Sequence, residues 1–339
     1  MRFVRKLTSQ NLPSIGIIGS GSWATALTKI ITDSGHHVHW YVHNPSSIKY
    51  LLEHHSNPKY LRGVKFKMEL LTLSADINEV VRHSQWLILA TPSLYIEQAL
   101  QKINSPISNK IIFSATKGMV PESQRLVGDH LFHHYGVGRR QLGTITGPCH
   151  AEEIALERLS YLTLSSNQRK ITRIASAFLA CDYVKTVRSS DRVGTEYAAL
   201  LKNIYALAAG IANGLDYGDN FQSVLISNSL REMDYFIRKI RKRPSPITHS
   251  AYLGDLLVTA YSPYSRNRKL GVLIGKGLSV EAAKLEMKMV AEGYYACNFA
   301  YAIRLKKMMK TPILDAVYTI LYQGAAAKKV LLNLAQKLT

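Results

Sequence analysis

Residues 14–27, SIGIIGSGSWATAL, decide the reading of the fold. The run SIGIIG (14–19) is apolar and β-branched, and Gly19, Gly21 and Ala24 then fit the pattern G-x-G-x-x-A. The first glycine permits a tight strand-to-helix turn, and the second lets backbone approach a pyrophosphate. The small third residue lets helix pack on strand, while the helix start supplies unpaired N–H groups and a positive dipole end. Ser22 and Trp23 sit in the same turn. The pattern alone is weak evidence, but here an apolar strand precedes it and a helical pattern follows, as a dinucleotide site requires.

Working outward, short apolar runs alternate with amphipathic ones. Strands are expected at 14–19, 37–42, 86–91, 110–116 and 142–146, with helical stretches such as PSSIKYLLEHH and ADINEVVRHS between them. The runs are nearly continuous rather than alternating, as in a parallel sheet covered on both faces. Two more, YLTLSS (161–166) and YVKTVRS (183–189), flank a helix and complete the same domain. After Asp191 helical patterns dominate, at 191–213, 221–241, 251–260, 265–275, 280–309 and 312–337. The fold class is therefore α/β, with an N-terminal Rossmann-type doubly wound sheet (14–190) followed by an all-helical C-terminal domain (191–339).

In such sheets an acidic residue ending the second strand takes the ribose hydroxyls of NAD. HVHWYVHNP (37–45) places His43 and Asn44 there, and neither is anionic. With no carboxylate to repel a 2′-phosphate, NADP and NAD are both expected, with His43 as a cofactor contact. The neighbouring His36, His37 and His39 lack carboxylates and helical spacing, so no metal is expected.

Composition narrows the remaining classes. A chain of 339 residues suits two domains, and 47% hydrophobic against 19% charged residues excludes a disordered chain. No window approaches the roughly 18 uninterrupted apolar residues of a membrane span. The opening MRFVRKLTSQNLP is basic without an apolar region, so a secretory signal is not expected and a cytoplasmic location is. The three cysteines, Cys149, Cys181 and Cys297, are odd in number and far apart, which excludes a disulfide framework and a CxxC zinc site. The formal net charge is +20, with basic runs at Arg238–Arg243 and Arg304–Lys310 and a pair at Arg139 and Arg140. Such runs attract anions (nucleic acid, acidic lipid headgroups, phosphorylated metabolites), although most are solvated helix faces. No nucleic-acid-binding motif accompanies them, and nucleic acid is not expected as a partner.

The helix AALLKNIYALAAGIANG is apolar on almost every face, yet Lys202 and Asn203 interrupt it. A buried ammonium must pair or lose its proton. A neighbouring cation would lower its pKa and suit it to proton transfer; the alternative is a lysine snorkelling to a domain surface. A dinucleotide domain followed by a helical domain with one buried lysine points to ketone reduction.

Taken in order, GSGSWATAL, ATKGM, GPCHAEE, LKNIYALAAGIANGLDYGDN, GDLLVTAYSPYSRNRKLG and VAEGY resemble the successive signatures of the bacterial-type NAD(P)-dependent glycerol-3-phosphate dehydrogenases, over residues 14 to 325. The resemblance implies reduction of dihydroxyacetone phosphate to sn-glycerol 3-phosphate, the backbone precursor of phospholipids. It implies that Lys202 transfers the proton and that Lys117 touches both cofactor and substrate. Gly147 and Cys149 lie in a turn where main-chain contacts with substrate are implied, and Ala151 would face the cofactor. Asp255 would be a substrate-side carboxylate, and it and Asn203 are the candidates to hold the Lys202 ammonium in line; Ser265, Arg266 and Asn267 would hold the phosphate, with Arg266 also meeting the cofactor. Val290 and Glu292 match cofactor contacts. Two departures stand out: Ala24 where the family usually has Gly, and Cys149 for the usual Ser or Thr, which would weaken a hydrogen bond to substrate. The competing readings are a 3-hydroxyacid or 6-phosphogluconate-type dehydrogenase, against which the TKG, GPCHAE and SRN segments argue, and a dinucleotide-sensing scaffold with a vestigial site. The oligomeric state is open, a homodimer included.

Overall fold

The computed structural model describes residues 12–242, 244–287 and 290–339. Most of the opening basic segment, and Arg243 of the second basic run, lie outside the described residues. The described residues divide into two compact units: those of 12–116, 127–145 and 149–192 form one, and those of 117–126, 146–148 and 193–339 form the other. A single cut at residue 190 thus misses two short excursions, 117–126 and 146–148, that leave the first unit and belong to the second.

The first unit is an eight-stranded sheet with helices between its strands. In chain order its elements begin β1 (Ile15–Ile18), α1 (Ser22–Asp33), β2 (Val38–Tyr41), α2 (Pro45–His54), β3 (Leu71–Ser74), α3 (Ile77–His83), β4 (Trp86–Leu89), α4 (Ile96–Leu100) and β5 (Ile111–Ser114). After a small hairpin, β6 (Met119–Val120) with β7 (Arg125–Leu126), come α5 (Val127–His134), β8 (Leu142–Thr146), α6 (Ala151–Ala155), β9 (Ser160–Ser166), α7 (Arg169–Phe178) and β10 (Val184–Ser189). The spatial order is β3-β2-β1-β4-β5-β8-β9-β10. From β3 to β8 all neighbours run parallel, with Ile15 opposite both Val38 and Trp86. The order reverses between β1 and β4, and open sheets of this kind bind ligands at that switch point, beyond the strand C-termini. The continuous apolar runs are buried, as both-face coverage demands: Ile15, Ile17, Trp40, Ile88 and Phe113 are each at most 1% exposed.

Two elements of this region were not expected. β3 is an edge strand of four residues, of which only Ser74 is buried, and its LTLS sequence is too polar for an apolar run to mark it. The β6–β7 hairpin pairs only Met119 with Leu126 and Val120 with Arg125, and it belongs to the second unit, which is therefore not purely helical.

The second unit is built on α8 (Arg192–Gly214) and α9 (Gly218–Arg241), followed by a π-helical turn (Ser250–Gly254) that leads into α10 (Asp255–Tyr261). Then come α11 (Arg266–Gly275), α12 (Val280–Glu286), α13 (Glu292–Lys306), α14 (Pro312–Gln323) and α15 (Ala327–Ala335). The expected helix 280–309 is divided where Met287 and Ala291 take extended backbone. The expected 312–337 is divided at Gly324, whose φ of 67° closes α14 with a left-handed cap. The middle of α8 is buried throughout, from Ala198 to Ala212, so the helix lies in the core of its unit.

Helices α8 and α11 meet through glycine. A Cβ on Gly271 would lie 2.3 Å from the Leu207 carbonyl oxygen, and one on Gly210 would lie 2.1 Å from that of Arg268. Gly214 and Gly275 repeat the contact one turn on. Only glycine lets the two backbones approach this closely, and the approach fixes α11 against the C-terminal part of α8.

Candidate active site

In the first unit the β1–α1 turn has the shape that its sequence requires. Gly19 has φ of +128°, and a Cβ there would lie 2.7 Å from the Ala90 carbonyl oxygen, so no other residue fits. Around the direction of a Gly21 Cβ there is nothing within 4 Å, which leaves the main chain open to an incoming group. Gly21 caps α1 without any side-chain hydrogen bond, and the first turn of the helix holds no acid. Uncapped N–H groups at a helix start, beside an open glycine, fit a pyrophosphate. Ser22 and Trp23 open that helix.

Second-layer contacts hold the turn. The Trp40 indole N–H donates to the Gly19 carbonyl at 2.7 Å, and the buried Asn57 amide donates to the Ser20 carbonyl at 3.3 Å and to Thr25 Oγ1 at 2.9 Å. Asn57 carries no motif in the sequence; only the return of its loop onto the turn reveals it. Ser20 Oγ lies 2.9 Å from His43 Nδ1, so the end of β2 and the glycine turn are joined at the place where a ribose is expected. Asn44 is occupied as the cap of α2, accepting from the Ser46 N–H at 2.9 Å.

After β8 the sequence expectation needs one correction. Cys149 is 3% exposed in the core of the sheet unit, and its thiol donates to the Tyr161 carbonyl at 3.2 Å. The side chain is thus turned inward and packs as a small hydrophobe, which leaves only its main chain as a route to substrate. Ala151 begins α6.

The second unit gathers the rest. Lys202 on α8 and Asp255, at the start of α10, are 3% and 1% exposed, and the ammonium donates to Asp255 Oδ1 in a short ion pair. A lysine snorkelling to a surface would not be so buried. A carboxylate pairs with it, as a buried ammonium requires. Asp255 Oδ2 is buried and has no hydrogen-bond partner among the described residues, so it is an acceptor waiting for a donor.

The next residue, Asn203, donates to the Lys117 carbonyl at 3.2 Å and so ties the excursion to α8. The second excursion lies by Asp255: Pro148 Cγ is 3.7 Å from the place of a Cβ on Gly254. Gly147 beside it has φ of +114°. Ser265 caps α11, its hydroxyl accepting the Arg268 N–H at 3.2 Å. Asn267 Oδ1 accepts the Gly293 N–H at 2.8 Å, next to Glu292 at the start of α13. A Cβ on Gly293 would lie 2.6 Å from the Asn203 carbonyl oxygen, so α8, α11 and α13 meet at one point. The exposed Arg266 donates to the Val290 carbonyl at 3.2 Å, and among the described residues the rest of its fork is open. Lys117, Gly147, Lys202, Asp255, Ser265, Arg266, Asn267, Val290 and Glu292 all belong to this unit.

One half of the chain therefore offers main-chain donors for a dinucleotide, and the other offers a buried acid–base pair with an arginine at a helix start. By class this is a nicotinamide-dependent oxidoreductase. The comparisons agree: the chain belongs to the NAD-dependent glycerol-3-phosphate dehydrogenase family, whose N-terminal model matches residues 14–172 and whose C-terminal model matches 191–332. It is 33% identical over 318 residues to a glycerol-3-phosphate dehydrogenase (NAD(P)+) of Bacillus velezensis, covering 92% of this chain and 91% of the relative. With the protein of the same name from Macrococcus caseolyticus it shares 31% over 325 residues, 95% and 98% of the two chains. Among solved structures, glycerol-3-phosphate dehydrogenase from Coxiella burnetii superimposes with a TM-score of 0.87 at 25% identity, covering 96% of this chain and 99% of that one.

Proposed function

We propose that this chain reduces dihydroxyacetone phosphate to sn-glycerol 3-phosphate, reversibly, with NADH or NADPH. The observation that carries the reading is the buried Lys202–Asp255 pair, a proton donor held by a carboxylate that keeps one oxygen unpaired. The nicotinamide, when bound, supplies the hydride. The residues that fit the dinucleotide are Gly19, Gly21, Ser22 and Trp23 at the turn and His43 at the end of β2, with Lys117, Ala151, Arg266, Val290 and Glu292 as further contacts.

The rest of the chemistry falls to side chains. Reduction of a ketone builds negative charge on its oxygen, and the Lys202 ammonium stabilises that charge and then delivers its proton. Asp255 Oδ1 keeps the ammonium in line, while Oδ2 accepts from a substrate hydroxyl and selects a hydroxyketone. Arg266 clamps the phosphate with a planar fork of donors, and the N–H groups at the start of α11, together with Ser265 and the Asn267 amide, complete the anion site. Lys117 and the main chain around Gly147 line the substrate. His43 and Asn44 place no negative charge where a 2′-phosphate would lie, which supports the use of both cofactors.

Supply of the glycerophospholipid backbone, assembly as a homodimer and a cytoplasmic location belong to the same reading. No helix among the described residues is long and apolar enough to cross a membrane. The test is direct: purified protein with NADPH and dihydroxyacetone phosphate should consume the nicotinamide absorbance at 340 nm, a wavelength fixed by the cofactor, and 3-hydroxyacids should not replace the substrate in the reverse direction. Oxidation of 3-hydroxyacids without activity on glycerol 3-phosphate would favour the other dehydrogenase class.

A further inference from the structure

The turn that ends α13 combines three features that the catalytic reading does not use. Its backbone forms a closed helix C-cap: the Met308 N–H donates to the Leu305 carbonyl at 3.1 Å and the Met309 N–H to that of Arg304 at 3.0 Å. This double bond pattern places the residue after the cap in the left-handed region, where glycine is the usual occupant. Here the residue is Met308, with φ of +50°. Its side chain is 88% exposed, and Leu305 beside it is 52% exposed. Met309, 2% exposed, anchors the turn to the unit's core. A large apolar side chain thus stands in solvent at a position whose backbone favours having none.

The second feature is the charge around it. Lys306, Lys307 and Lys310 are exposed in the same turn, and among the described residues none of them has an ion-pair partner. Arg304 is the exception, bound to Asp315 at 2.9 Å. The third feature is a cavity of about 340 Å³ beside the turn, lined by Arg304, Lys310, Thr311, Asn333 and Lys337 over an apolar floor that includes Val330 and Leu334. Its one lining carboxylate is Asp315, which Arg304 already neutralises.

We propose that the Arg304–Lys310 turn docks this chain on an anionic phospholipid bilayer, with Met308 and Leu305 entering the acyl boundary and the lysines meeting the headgroups. Lysines suit that setting because their long stems let the ammonium stay in the headgroup layer while apolar neighbours go deeper. The cavity between Lys310 and Lys337 takes a headgroup phosphate. Nucleic acid fits less well: the turn has no aromatic ring on which a base could stack and no free arginine fork. A protein partner would be expected to meet a wider apolar face than one methionine and one leucine.

The experiment is sedimentation of the full chain with vesicles of phosphatidylcholine alone and of equal parts phosphatidylcholine and phosphatidylglycerol. Binding should occur on the mixed vesicles only and weaken as salt is raised. Met308→Gly suits the backbone better than methionine does, so it folds and keeps dehydrogenase activity. It should lose roughly tenfold in vesicle affinity, the factor for withdrawing one large apolar side chain. The triple variant Lys306→Ala, Lys307→Ala, Lys310→Ala should lose on the order of a hundredfold. Equal binding to both vesicles, or none, would overturn the proposal. So would loss in the triple variant with Met308→Gly unchanged, since that pattern marks a purely electrostatic surface open to any polyanion. None of these readouts depends on catalysis, so the proposal and the assigned reaction fail separately.

Discussion

At the β1–α1 turn the groups offered to a ligand belong to the main chain, whereas on α8 and α10 they are side chains. The first region works by what it lacks. Gly19 and Gly21 clear space, α1 has no capping side chain, and no acid stands in its first turn. The second works by what it buries, a lysine and an aspartate at 3% and 1% exposure. Glycine also serves the two regions differently. Gly19 is needed for its φ of +128°, while Gly271 has ordinary backbone and is needed because the Leu207 carbonyl leaves no room for a Cβ. Binding of a constant ligand part can rest on backbone, which no side-chain replacement alters; chemistry needs a titratable group, and so a buried charge with its partner.

The comparison breaks most visibly at Asp255. Asp255→Ala leaves a buried ammonium without its carboxylate, which should cost about 3–5 kcal/mol of folding stability as well as activity. Denaturant unfolding of the variant checks it, and a loss under 1 kcal/mol would mean that Lys202 finds another partner. Next in size is Arg266→Ala. It removes a charge-assisted contact worth about 1.5–3 kcal/mol, so the apparent affinity for the phosphorylated substrate should fall roughly ten- to a hundredfold with the fold intact. An unchanged KM and kcat would take Arg266 out of the site.

Gly271→Ala should cost about 1–3 kcal/mol, because backbone, not a flexible side chain, meets the new methyl. A fall in kcat alongside the lost stability is expected, since α11, which carries Arg266, then shifts against α8. Smallest is the cofactor preference. With His43 and Asn44 at the ribose position, kcat/KM for NADPH and NADH should differ by a modest factor. A preference for NADH above about a thousandfold, roughly 4 kcal/mol, would contradict the role given to those residues.

Much of this was legible in the sequence wherever burial leaves a one-dimensional trace. β1, β2, β4, β5 and β8 lie inside the sheet and read as apolar runs, but the edge strand β3, half in water, does not. Lys202 announced itself as the one charge in the apolar stretch 198–214 of α8. Asp255 offered itself as a residue to hold that ammonium, but the contact was not legible, because the two stand 53 residues apart and Asp255 looks like any acid in a first helical turn. Asn57 and the Gly210–Gly271 crossing were invisible for the same reason: their meaning lies in what the fold brings against them. The direction of the Cys149 thiol could not be read either, since a substitution pattern says nothing of which way a side chain turns.

The central claim is that proton transfer rests on Lys202, while the dinucleotide is held chiefly at the β1–α1 turn. Lys202→Ala tests it most directly, with NADPH binding followed by nicotinamide fluorescence and turnover by absorbance on the same folded sample. Positioned acid–base and electrostatic groups contribute on the order of 10²–10⁴-fold, so turnover should fall by at least a hundredfold while NADPH affinity stays near the wild-type value. Lys202→Arg should not rescue, because a guanidinium keeps its proton. Near-normal turnover in Lys202→Ala, or loss of NADPH binding in step with turnover, would contradict the account.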